Sequence, residues 1–289
     1  MPQWNCACTN CYDARRGKIP PLTQSSVAIC DDRGGWFLIN ASPDLPAQIR
    51  TFPDLQPKHG TLRNSPICGI FLTNADLDHV LGLFSLREGG RLHIYTTSAI
   101  REILDECLGL TTVMNAFCGV VWHDPPETDF APLTGTGEVP GSLSYRAIRL
   151  PGRPPLFANG KHSEGVCSIA YCIMDHKSGG RLLVAPDVAG CNAALNEALQ
   201  ASDAVLFDGT FWSSDELLQI KANGRTAEEM GHVTVKDHSL ALLRTLPASR
   251  KIYIHINNTN PILSPDSPEQ TAVAAAGVEV GHDGLEFEL

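Results

Sequence analysis

Short apolar runs bounded by Gly, Pro, Asn, Asp or Ser recur along the chain, and each such run predicts a strand. They fall at 25–29 (SSVAI), 35–40 (GWFLIN), 67–73 (ICGIFLT), 92–96 (LHIYT), 118–123 (CGVVWH) and 143–150 (LSYRAIRL). Further runs lie at 167–174 (CSIAYCIM), 181–185 (RLLVA), 204–208 (AVLFD), 251–256 (KIYIHI) and 277–282 (GVEVGH). A helical period instead marks 98–107, 192–202, 235–246 and 267–277, the last with a Ser cap, Pro at its first position and Gly277 at its end. The order predicts a strand-rich first half with few helices before residue 130, then strands alternating with helices. Early hairpins followed by αβ units imply an α/β fold of mixed sheets with helices outside. The Pro/Gly-rich stretch 123–142 reads as a surface excursion. With no repeat, low-complexity tract or dividing linker, residues 1–289 read as a single domain.

Composition narrows the function classes. A formal net charge of −10 argues against a nucleic-acid-coating surface. No apolar run approaches the ~20 residues that span a bilayer, and the N-terminus lacks a basic region followed by an apolar one. The expectation is a soluble, cytoplasmic protein without a membrane or nucleic-acid partner; its oligomeric state is left open, a homodimer included. Of the ten cysteines, seven are scattered singly and read as buried small hydrophobes in a reducing compartment. Cys6, Cys8 and Cys11 differ, forming a C-x-C-x2-C knot within residues 1–15.

Four stretches set polar residues directly after a buried-looking strand: TNADLDH, VAPDVAG, LFDGTFW and YIHINNTN. Asp and His are costly to bury without partners, and strand ends on one sheet edge are where α/β folds build sites. Asp76, Asp78, His79, Asp187, Asp208 and His255 are therefore candidates for one metal-centred pocket. Taken alone, each has a plainer role as a turn former, a helix cap or a core histidine.

Asp78-His79-Val80-Leu81-Gly82 fits the D-H-x-x-G core of the metallo-β-lactamase signature H-x-H-x-D-H-x-x-G. Across the whole chain, PQWNCACTNC, QSSVAI, LINASPDL, LREG, LFDGTFW, MGHVT and HINNTNPIL resemble the pyrroloquinoline quinone (PQQ) biosynthesis protein B family of that superfamily. The resemblance implies an αββα sandwich of two mixed sheets flanked by helices. It also implies that a first strand found in relatives ahead of PQWNC is missing here. Asn74 and Asp76 stand where the signature has its first two histidines, Arg153 where T-P-G-H has its histidine, and Asp187 where the bridging aspartate would be. These changes disfavour a di-zinc hydrolase. One metal held by His79, His255 and a carboxylate (Asp76, Asp78 or Asp187) resembles the two-histidine-one-carboxylate face of iron(II) oxygenases. The family is associated with O2-dependent hydroxylation of a tyrosine ring in a peptide-derived PQQ precursor. Carriage of PQQ or its precursor to the periplasm is the alternative, as is a phosphodiesterase-type hydrolase of the same fold.

FDGTF and GHVT resemble stretches of the tRNA-processing branch whose carboxylate and histidine handle protons, which casts Asp208 and His232 as that pair. Three thiolates in the knot suit a structural zinc. In a related phosphodiesterase a histidine completes such a site, and Asn258 occupies the corresponding position. Arg153 and Asn258, standing where ligands stand in relatives, are candidate substrate-side residues.

Overall fold

The computed structural model describes residues 1–60, 62–135, 140–159, 166–221 and 223–289. Of the excursion expected over 123–142, residues 136–139 lie outside the described residues. The chain divides into two compact units: a continuous one, Gln24–Gly180, and a discontinuous one joining Met1–Thr23 to Arg181–Leu289.

In the continuous unit, β1 (Val27–Cys30), β2 (Trp36–Ile39), β3 (Ile67–Phe71), β4 (Leu92–Tyr95) and β5 (Val120–His123) form a sheet in that order. Within this sheet β1 and β2 pair as an antiparallel hairpin, whereas β2–β3, β3–β4 and β4–β5 are parallel. This corrects the expectation of a helix-poor first half. Parallel neighbours need crossovers, and these are built from helices at Leu45–Thr51, Leu77–Val80, Ser98–Leu108 and Leu110–Asn115. Three of the four are two turns or less. Within such lengths the 3.6 period barely repeats, and Leu45–Thr51 buries only Leu45. A second ladder of β6 (Ala131–Pro132), β7 (Leu143–Leu150) and β8 (Ser168–Asp175) is antiparallel, in register from Leu143↔Asp175 to Leu150↔Ser168. Phe71 packs on Tyr95, Tyr145 and Tyr171 with ring centroids 4.7, 5.1 and 4.7 Å away. Such pairs add about 0.5–1.5 kcal/mol each beyond the area they bury.

In the discontinuous unit, β9 (Arg181–Ala185), β10 (Ala204–Asp208), β11 (Arg250–Ile254) and β12 (Glu279–Val280) are all parallel, with order β12-β11-β10-β9. All five residues of β10 are buried, as a central parallel strand requires. The helix predicted at 267–277 runs Pro268–Ala275, and the Ser267 side chain accepts from the Gln270 N–H as its cap. The one predicted at 235–246 divides into a π turn, Val235–Ser239, and an α-helix, Leu240–Thr245. A helix at Thr9–Arg15, unforeseen in the pattern, carries the last cysteine of the knot.

Candidate metal centre

In the continuous unit the candidate residues follow β3 through a tight turn. The Asn74 side chain accepts from the Asp76 N–H (3.0 Å), and the Asp76 carbonyl accepts from the His79 N–H (2.9 Å). This turn delivers His79 into the interior, 1% exposed, while Asp76 and Asp78 stay half-buried. Gly82 of the D-H-x-x-G motif is there for close approach: a Cβ would lie 2.2 Å from the Ser42 carbonyl oxygen. Backbone bonds between Ala41 and both His79 (2.7 Å) and Gly82 (2.9 Å) lock the turn against the end of β2. Asn40, in the left-handed region at φ 63°, bonds to Thr73 through both amide atoms, and the Thr73 hydroxyl lies 3.3 Å from His79 Nδ1. On its other side His79 Nε2 faces Asp78 Oδ2 at 3.8 Å. An imidazole nitrogen and a carboxylate oxygen converging in this way suit a bound cation.

In the discontinuous unit the centre is Asp208, fully buried at the end of β10. Its Oδ2 accepts from His232 Nδ1 (2.7 Å) and the Val188 N–H (2.9 Å). Its Oδ1 accepts from the Thr210 N–H (2.9 Å) and the Thr210 hydroxyl (2.6 Å). Burial by itself would raise the Asp208 pKa. The charge and hydrogen bond of His232, then the charge of His255 and the Thr210 hydroxyl, outweigh it and hold the carboxyl below its ordinary value. His232 is buried, has Asp187 Oδ1 at 3.5 Å, and lies 5.6 Å from His255 between ring centroids. His255 follows β11 with φ 55°, a conformation that costs a non-glycine residue ~1–3 kcal/mol and gathers at functional sites. Thr210 holds it there: the Thr210 hydroxyl oxygen lies 2.8 Å from His255 Nδ1 and 2.7 Å from the His255 carbonyl oxygen. Gly209 makes room, since a Cβ would come within 2.8 Å of Tyr253 Cβ. Asp208, His232 and His255 each offer a ligand atom within 4.8 Å of the others.

The same unit contains the knot. The thiols of Cys6, Cys8 and Cys11 lie within 4.8 Å of one another. Asn258 Nδ2 caps all three, at 3.2, 3.5 and 3.4 Å from their Sγ atoms. Asn10 ties the knot to the following loop through the carbonyls of Asn258 (3.1 Å) and Asn260 (2.8 Å). Burial pushes the Cys11 thiol up to about 11, with the Cys8 and Cys6 thiols adding to it. Three thiolates so close together need a cation among them, and a soft tetrahedral ion matches this donor set. A half-turn of the Asn258 amide would present Oδ1 in place of Nδ2.

Each unit carries its own share of the predicted residues. Asp76, Asp78 and His79 cluster in the continuous unit, where Arg153 is exposed in the loop after β7. Asp187, Asp208, His232 and His255 cluster at strand ends of the discontinuous unit. Asn258, a substrate-side candidate, turns its side chain to the thiols. Reading the sequence passed over Thr73, Thr210 and Asn40, although all three stand inside quoted motifs. Their signal was a hydrogen-bonding side chain at the end of a buried strand.

Residues 35–256 match the model of the Beta-lactamase superfamily domain, which defines the class of the fold as the α/β metallo-β-lactamase type, mixed sheets with flanking helices. Coenzyme PQQ synthesis protein B of Cupriavidus necator is 39% identical over 299 residues, covering all of this chain and 95% of that protein. The protein of that name from Azoarcus sp. is 40% identical over 297 residues, covering all of this chain and 96% of its own length. The crystal structure of Zn(2+)-bound PqqB from Methylobacterium extorquens is 34% identical and superposes with a TM-score of 0.88, over all of this chain and 95% of that one. The chain belongs to the coenzyme PQQ synthesis protein B family.

Proposed function

We propose that this protein acts in PQQ biosynthesis by iron- and O2-dependent hydroxylation of a tyrosine ring in a peptide-derived precursor. The observation that carries the reading is the set of partners around Asp208. Three N–H donors, from His232, Val188 and Thr210, already sit on its two oxygens and the Thr210 hydroxyl lies beside them, so it is engaged by the protein and orients His232. The ligand candidates the sequence suggests, Asp76, Asp78 and Asp187 with the imidazoles of His79 and His255, are rich in oxygen. Such a set suits iron(II) better than a pair of zinc ions.

When bound, iron(II) would supply the activation of O2. The chain's own residues then have separate tasks. With its Nδ1–H given to Asp208, His232 carries a lone pair on Nε2, which takes a proton from the substrate phenol. Asp208 keeps that ring in place and balances the charge it gains. Arg153 offers a guanidinium to a substrate carboxylate. Cys6, Cys8 and Cys11 hold a structural zinc, with the Asn258 amide beside them. Among the described residues no helix is long and apolar enough to cross a membrane.

Anaerobic loading with iron(II), followed by O2, a two-electron reductant such as ascorbate and a tyrosine-containing peptide, tests the proposal, since one oxygen atom enters the ring and the other must leave as water. The expected result is O2 consumption matched by a product heavier by one oxygen atom. Two zinc ions outside the knot, with phosphodiester cleavage, would overturn it in favour of a hydrolase. Tight PQQ binding without turnover would overturn it in favour of a carrier.

A further inference from the structure

We propose that the hydroxyls of Thr210 and Thr73 are positioning groups that set the tautomers of His255 and His79, leaving the lone pair of each ring on Nε2. The inference rests on the reading of those histidines as metal ligands, and it follows from counting hydrogens. A threonine hydroxyl has one hydrogen to give and two lone pairs to receive. Thr210 Oγ1 has three close neighbours: Asp208 Oδ1 (2.6 Å), the His255 carbonyl oxygen (2.7 Å) and His255 Nδ1 (2.8 Å). The two oxygens can only accept, so the single hydroxyl hydrogen is committed to them. The remaining contact is satisfied only if Nδ1 carries the hydrogen and donates it.

The same count holds at Thr73 in the continuous unit. Asn40 Nδ2 donates to Thr73 Oγ1 (2.9 Å), and Oγ1 donates to Asn40 Oδ1 (3.2 Å). The Thr73 N–H also donates to Asn40 Oδ1 (3.0 Å), which fixes the Asn40 amide with its oxygen on that side. With the hydroxyl hydrogen on Asn40 Oδ1 one lone pair remains, and we assign His79 Nδ1, 3.3 Å away, as its donor. Two threonines at two strand ends therefore do the same work for two imidazoles. A histidine binds a metal through the unprotonated nitrogen, and the partner of its other nitrogen decides which one that is. The hydroxyls present each ring already in the ligating form.

The experiment uses the full chain, metal-free and labelled with ¹⁵N-histidine, and reads each tautomer from the Nδ1 and Nε2 chemical shifts. His255 and His79 should both be Nδ1–H. Thr210→Val should move His255 toward Nε2–H and spare His79, and Thr73→Val should do the converse. Thr210→Ser and Thr73→Ser, which keep the hydroxyl, should restore the wild-type shifts. A wild-type Nε2–H form, or valine variants without change, would overturn the proposal. A second arm titrates iron(II) anaerobically. Each valine variant should bind ~10–100-fold more weakly, as loss of a ligand's orienting partner usually brings, and each serine variant should recover most of that loss. His255→Ala and His79→Ala separate the two layers. If they bind iron as the wild type does, the ligand reading falls while the tautomer result is judged on its own. If they lose iron but a valine variant with a shifted tautomer keeps its affinity, the proposal falls and the ligand reading stands.

Discussion

The cysteine knot and the Asp208 network belong to the same unit and hold their donors by opposite means. In the knot, three identical soft donors come from six consecutive residues, and their mutual contact is unfavourable until a cation joins them. In the network, donors from the ends of β10 and β11 and from the segment before the π turn are hydrogen-bonded to one another, so that Asp208 is satisfied by protein alone. The first arrangement is one that a cation would complete; the second is held by the chain's own donors. Stability should therefore follow metal at the knot and hydrogen bonds at the network.

The largest effect should come from breaking the knot. Zinc in a closed thiolate site can contribute about 10 kcal/mol or more to folding. Cys6→Ser or Cys8→Ser should release the structural zinc and lower the melting temperature sharply, as read by metal analysis beside thermal unfolding. Unchanged zinc content and melting temperature in both would remove zinc from the comparison. Asp208→Ala comes next: it strips a buried carboxylate from its imidazole and from three other donors, a loss of about 3–5 kcal/mol in denaturant unfolding. Zinc in the knot should stay bound in that variant, which is the sharpest contrast between the two arrangements.

Gentler changes in the network should reach chemistry before stability. His232→Ala should keep iron but lose ~10²–10⁴-fold in turnover, the usual worth of a positioned proton-transfer group. Asp208→Asn should lose less, because the ring it orients remains. Iron content beside hydroxylation, followed over pH for both variants, checks this. Loss of iron in Asp208→Asn would make Asp208 a ligand instead, and a normal rate in His232→Ala would make that imidazole a helix-end residue without catalytic work.

The same contrast explains how much was legible beforehand. C-x-C-x2-C is a local pattern, so the knot could be read directly, and D-H-x-x-G likewise located Asp78, His79 and the obligatory Gly82. Strands marked by apolar, turn-bounded runs, such as 143–150, 181–185 and 204–208, fell where the ladders are. The 3.6 period located the crossover helix Ser98–Leu108, but the other three crossover helices of the first half were invisible because they are short and bury few residues. The Asp208–Thr210–His255 contacts were invisible for another reason. They join residues 45 positions apart, and a threonine's role depends on which lone pair faces which neighbour. Motif resemblance could place Asp208 beside His232, but it could not count hydrogens on the hydroxyl between Asp208 and His255.

The smallest effect belongs to Glu216, which bears on the loop that serves both arrangements. Its carboxylate accepts from the Trp212 N–H (2.7 Å) and from the Thr259 hydroxyl, and Thr259 follows the Asn258 that caps the thiols. Burial pushes its pKa up to about 7 from an ordinary 4.5, against the lowering effect of the hydrogen bonds from Thr259, Trp212 and Asn257. A raised folded-state pKa means that the folded protein prefers the protonated acid. The stability it contributes is therefore full below about 4.5 and is lost as pH rises through about 7. At about 1.4 kcal/mol per unit, the whole slope amounts to at most ~3.5 kcal/mol. Glu216→Gln imitates the neutral acid, since its carbonyl still accepts and its amide can donate to the Thr259 oxygen. Urea unfolding of the two proteins between pH 5 and 8.5 should give similar stabilities at the acid end and a glutamine variant more stable by about 1–2 kcal/mol at the alkaline end. Parallel curves would mean that Glu216 is ionised throughout and that the loop is held by a charged clamp. In that case Glu216→Gln should be the less stable protein at every pH.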